Sequence, residues 1–87
     1  MLIHIGGDTV VNLHAVIGIF DIHIQESPET KSFINRSLEE KAVEVVEPGD
    51  IKSYVVTDDK VYYSPISSAT LKKRAIVMEL HGNFQLD

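Results

Sequence analysis

Between Ile51 and Pro65 the chain carries two nearly unbroken apolar runs, Tyr54-Val55-Val56 and Val61-Tyr62-Tyr63, with Asp58-Asp59-Lys60 between them. Aromatic and β-branched residues at this density favour strands, and the short polar insert favours a hairpin turn. A half-exposed strand would alternate apolar and polar side chains, and these do not. The pair, Ile51 to Thr57 and Val61 to Ser64, must therefore be buried on both faces or covered by another subunit. Pro65 ends it, because proline cannot donate to a central ladder. Everything else in the chain has to supply the cover.

The N-terminal quarter reads as a small β-meander. Leu2-Ile3-His4-Ile5 alternates, Gly6-Gly7-Asp8 turns, and Thr9-Val10-Val11 returns. Asn12-Leu13-His14 forms a corner before a third strand predicted over Val16 to Ile24, where Gly18 marks a bulge or a close contact. Ser27-Pro28-Glu29 then starts a helix: the serine caps, the proline sits where its missing N–H is harmless, and the glutamate faces the positive end of the dipole. That helix should run to about Lys41 with Thr30, Ile34 and Leu38 on one stripe, widened by Phe33. Val43, Val45 and Val46 predict a short strand closed by Pro48-Gly49-Asp50. After the hairpin, Ser67 or Ser68 caps a second, shorter helix from Ala69 to about Ala75. Ile76 to Leu80 either extends it or forms a last strand, and Gly82-Asn83 is expected to stop whichever forms.

The expected fold is α+β: one small β-rich domain over residues 1–87, with a twisted, mainly antiparallel sheet and two helices, and a loosely defined segment at 77–87. One long and one short helix cannot cover both faces of such a sheet. Apolar strand surface should be left over, which points to self-association. At 87 residues and 44% apolar the core is modest but sufficient for a folded chain. Without cysteine there is no disulfide framework, no thiolate zinc site and no cysteine nucleophile, so a reducing cytoplasmic setting is expected. There is no basic-then-apolar leader and no apolar run of spanning length, so no membrane association is expected.

Catalytic chemistry finds little footing. His4, His14, His23 and His81 lack the spacing that puts two imidazoles on one metal. Asp58-Asp59 reads as a turn. Ser64, Ser67 and Ser68 cluster at a helix start, where capping accounts for them better than nucleophilic catalysis. Gly6-Gly7 lacks the lysine and spacing of a phosphate loop. No enzyme activity, metal or cofactor is expected.

Charge is unevenly distributed. The net charge is -5, yet residues 26–50 hold seven acids against Lys31, Arg36 and Lys41, whereas Lys72, Lys73 and Arg74 are consecutive near the end. Such a dipolar chain can bind a polyanion along one edge or stack head-to-tail with its neighbours. The segment Ser67 to Ala75 offers helix N–H groups and the hydroxyls of Ser67, Ser68 and Thr70 to phosphate oxygens. Leu71 and Ala75 share one helical stripe, which leaves Lys72 and Lys73 wet and puts Arg74 beside the core, within reach of an acid.

Four segments in this order, Ile3-His4-Ile5-Gly6, Val16-Ile17-Gly18-Ile19-Phe20-Asp21, Tyr54-Val55-Val56-Thr57 and Tyr62 through Arg74, resemble the bacterial family of extracellular matrix regulatory proteins, RemA and RemB, closest to the RemB branch. The resemblance covers roughly residues 1–76. It implies a cytoplasmic regulator of biofilm matrix genes that assembles into a ring-like homo-oligomer and binds double-stranded DNA, similar to the β-rich LytTR domain. The family's DNA contacts are arginines near the second strand and in the loop before the hairpin. Here His14 stands in the first place, and the loop reads Pro48-Gly49-Asp50-Ile51-Lys52, with an acid where arginine is expected. The expected DNA-binding residues are therefore Lys52, Lys72, Lys73, Arg74 and His14. The alternative is a ring-forming scaffold that binds protein rather than DNA.

Overall fold

The computed structural model describes residues 1–23 and 26–85. In chain order it forms strands β1 (Leu2–Gly6) and β2 (Thr9–Asn12), a 3-10 turn (Leu13–Ala15), strand β3 (Val16–Asp21), helix α1 (Pro28–Glu40), strands β4 (Ala42–Val45), β5 (Ser53–Thr57) and β6 (Lys60–Ser64), and helix α2 (Ser68–Gln85). The α+β class and the two helices are as expected. The single sheet is not. β1 and β2 form an antiparallel pair of their own, and the other strands lie in the order β3-β5-β6-β4. Within that sheet β4 runs parallel to β6. The chain passes from β4 across to β5, and β6 then fills the gap between them, so a strand antiparallel to β5 must run alongside β4 in the same direction.

The hairpin β5–β6 is buried on both faces inside one protomer. Register places Val43, Val61, Val56 and Gly18 across one face, with Val45, Tyr63, Tyr54 and Phe20 beside them. Helix α1 covers this face over β3, β5 and β6, its Phe33 ring 5.9 Å from that of Phe20, and leaves Val43 and Val45 of β4 exposed. On the other face Ile19 and Val55 meet Ile3, Ile5 and Val11 of the β1–β2 pair and Leu71 of α2. Val55, Val56, Val61 and Leu71 are all fully buried. Each such side chain contributes about 1.5–3 kcal/mol of burial. Of the two alternatives expected for the hairpin, burial on both faces within the chain is the one found. Exposed apolar side chains lie elsewhere, on β1, β2, β3, β4 and the outer side of α2.

Buried serines fasten the layers. Ser64 Oγ donates to the Ile5 carbonyl at 2.6 Å, and Ser53 Oγ to the Ile66 carbonyl at 2.8 Å. Ser64, grouped by sequence with the helix cap, thus holds β1 against β6 instead. The β1–β2 turn is tight enough to require glycine. Gly6 has φ 123°, and a Cβ there would come within 2.9 Å of Pro65. Gly18 does sit at an irregularity in the β3–β5 register, with the Phe20 ring lying across it.

Three boundaries differ from expectation. β3 stops at Asp21, three residues early, because its Oδ1 accepts from the His23 N–H at 2.7 Å and turns the chain away; Ile24 lies outside the described residues. α2 takes the helical alternative for Ile76 to Leu80 and is the longer helix, at 18 residues against 13. It also runs through Gly82-Asn83. Glycine costs a helix interior only about 1 kcal/mol, which does not by itself stop a helix that runs from Ser68 to Gln85. Leu86 lies outside the described residues.

Candidate nucleic-acid interface

The five expected DNA contacts fall in three places. His14 is exposed in the 3-10 turn ahead of β3, its N–H held by Asn12 Oδ1 at 3.0 Å. Lys52 is exposed just before β5, where its backbone bonds Ser64 and Ile22. These positions are at opposite ends of the sheet, since Ala15 lies by Asp58 and Lys52 lies beyond Asp21. A six-residue strand, about 20 Å long, separates them. They do not form one cluster.

Lys72, Lys73 and Arg74 lie on α2, and its start is well defined. The Ser67 hydroxyl accepts from the Thr70 N–H at 3.2 Å and donates to the Thr70 hydroxyl at 2.9 Å. Ser68 is buried. The Ser67 hydroxyl is thus engaged in the cap and Ser68 is covered, a correction to the sequence reading at those two positions, whereas Thr70 is exposed and its hydroxyl only accepts in the cap. Leu71 and Ala75 do form the inward stripe, continued by Met78 against the core.

The three cations then diverge. Successive helical side chains point about 100° apart. Lys72 is exposed and stands away from the groove between α2 and β1. Lys73 is exposed at the rim of that groove, beside Leu2 and Val77. Arg74 is half-buried, and its Nη1 donates to the His4 carbonyl at 2.9 Å. Its partner is a backbone oxygen, not the acid expected. Among the described residues neither lysine makes an ion pair, and the one ion pair there is Lys60 with Glu44, at 3.1 Å.

Sequence reasoning missed the groove. It is open, almost wholly apolar, and lined by Leu2, Ile3, His4, Lys73, Arg74, Val77 and Met78. Its signal was in the sequence: Ile76, Val77 and Leu80 fall opposite Leu71 on a helical wheel, which makes α2 apolar on two sides. That pattern becomes visible only once Ile76 to Leu80 is known to be helical. Among the described residues no group of three or more histidine or acidic side chains is placed to hold a metal ion. None of the described helices is long and apolar enough to cross a membrane.

Fold and site together define a small α+β domain with a capped, cation-bearing helix laid across a two-stranded sheet. The family model "Extracellular matrix regulatory protein A-like" matches residues 2–75. Extracellular matrix regulatory protein B of Bacillus subtilis (strain 168) is 46% identical over 78 residues, covering 90% of this chain and 94% of that protein. The chain belongs to the RemA-like family of extracellular matrix regulatory proteins.

Proposed function

We propose that this chain is a cytoplasmic, DNA-binding transcriptional regulator of extracellular matrix genes of the biofilm type, acting as a ring-shaped homo-oligomer. The observation that carries this reading is membership of the RemA-like family. Lys52 and Lys72 support the DNA part, as exposed cations without an ion-pair partner among the described residues. In this reading they contact phosphates, His14 adds a donor, and Arg74 serves mainly to hold α2 on β1. Among the described residues no base-reading element is identified, so in this reading specificity comes from array geometry and DNA shape. A gel shift at low salt, with mass photometry on the same sample, tests it. Binding by an assembly is expected, and Lys72→Ala should lower the salt slope by about one. A slope unchanged by Lys72→Ala would remove that contact.

A protein-binding scaffold of the same assembly is the second reading. The net charge of -5 and the separation of His14 from Lys52 favour it. An assembly that shifts no DNA at low salt would establish it over the first.

A further inference from the structure

Two surfaces of this protomer lack cover, and each carries what the other needs. The first is the outer side of α2 with the adjoining groove. Ile76, Val77, Leu80 and Leu2 are 46–59% exposed, with Lys73 at the rim. A helix apolar on two sides is built to be enclosed, and α2 is enclosed on one. The second surface is the free edge β4 and the end of α1. Val43 and Val45 share a face and are 43% and 53% exposed, and β4 pairs only with β6 among the described strands. Glu39 and Glu40 stand three to six residues before them, in the last turn of α1.

The charges make the match specific. A helix C-terminus is the negative end of its dipole, so Glu39 and Glu40 are unfavourable there by about 0.3–1 kcal/mol each. The last turn holds no basic residue, and Lys41 Nζ is turned away to the Thr57 carbonyl at 2.7 Å. A cation brought up by a partner relieves both acids. Lys73 is such a cation, exposed and without an ion-pair partner among the described residues. The two surfaces also cannot be one: α2 packs against β1 and β3, whereas β4 is at the other edge of the sheet.

We propose that the occupant of the α2 groove is a second copy of this chain, which inserts its β4 edge so that Val43 and Val45 meet Leu2, Val77 and Leu80 while Glu39 and Glu40 face Lys73. The contact is head-to-tail, and repeated contacts of that kind close into a ring or run on as a filament. The inference rests on the self-association read above and names its surfaces.

Charge reversal provides the test, with circular dichroism to verify folding. Glu39→Lys/Glu40→Lys and Lys73→Glu should each reduce the full-length chain to monomer by mass photometry. Mixing the two variants should restore assembly, because every contact in an alternating array then pairs opposite charges. An assembled wild type whose mass neither reversal alters would overturn the docking and leave self-association standing. If Glu39→Lys/Glu40→Lys assembles normally while Leu80→Asp does not, the α2 face pairs with itself and the proposal is likewise overturned. A wild type that stays monomeric would instead refute the self-association on which it rests.

Discussion

Helices α1 and α2 begin with the same device and finish differently. Ser27 and Ser67 each accept from the N–H of a threonine three residues on and donate to its hydroxyl. Beyond the cap, α1 is apolar on one side. Ile34 and Ser37 are buried and Leu38 half-buried, while Lys31, Asn35, Arg36 and Glu39 face solvent. α2 buries Leu71 on one side and exposes Ile76, Val77 and Leu80 on the other. A cap determines where a helix starts, and the distribution of apolar residues determines how many faces must be covered. By that measure α1 has its apolar side covered within the chain, and α2 keeps a second apolar side exposed.

The sharpest way to break this comparison is to truncate α2 on each side in turn. Leu71→Ala opens a cavity in the core shared with Ile3, Ile19 and Val55, and should cost about 2–5 kcal/mol in urea unfolding. Leu80→Ser, measured dilute enough for both chains to be monomeric, should stay within about 0.5 kcal/mol of wild type. If Leu80→Ser cost as much as Leu71→Ala, the outer face would be packed within the protomer and the asymmetry between the helices would vanish.

A middle-sized effect separates the cations. Arg74→Ala removes a charged donor from the His4 carbonyl and should cost roughly 1–2 kcal/mol, given its partial exposure. Lys72 is exposed and makes no ion pair among the described residues, so Lys72→Ala should be neutral within about 0.5 kcal/mol. Equal losses would mean that Arg74 is no more structural than its neighbour. The shared caps should behave alike: Ser27→Ala and Ser67→Ala are each expected to cost about 1 kcal/mol by the same unfolding experiment. A much larger loss at Ser67 would show that α2 depends on its cap because it has less packing to hold it.

What was legible in the sequence follows the range of the forces involved. The caps, the hairpin and the inward stripe of Leu71 and Ala75 depend on residues within a few positions of one another, and they were readable. The separation into two sheets was not, since it depends on Ser64 reaching Ile5 and on Gly6 reaching Pro65 across the whole chain. Arg74 was correctly placed beside the core but assigned an acid, because a carbonyl 70 residues away leaves no mark on composition. The site fared similarly. That His14 and Lys52 stand at opposite ends of the sheet follows from the β3–β5 register, and local sequence does not encode register between distant strands.

The smallest effect concerns the edge strand that the docking contact would use. Lys60 Nζ donates to Glu44 Oε1 at 3.1 Å across the parallel pair β4–β6, and it also lies 5.9 Å from the Tyr62 ring centre. The hydrogen bond to Glu44, followed by that carboxylate's charge, raises the lysine above its ordinary value of 10.5. A base raised on folding stabilises the folded chain fully below its unfolded pKa, and the contribution is lost as pH rises through the raised folded value. Across the neutral range Glu44→Gln should therefore be slightly less stable than wild type, by a surface ion pair's small worth and less at high salt. The two chains should converge in strong alkali, once Lys60 has lost its proton. An NMR titration of the Lys60 side chain reads the cause directly, since Glu44→Gln should bring its midpoint down toward the ordinary lysine value. An unmoved midpoint would show that Glu44 does not hold the ammonium, and would leave the β4 edge tied to β6 by its backbone alone.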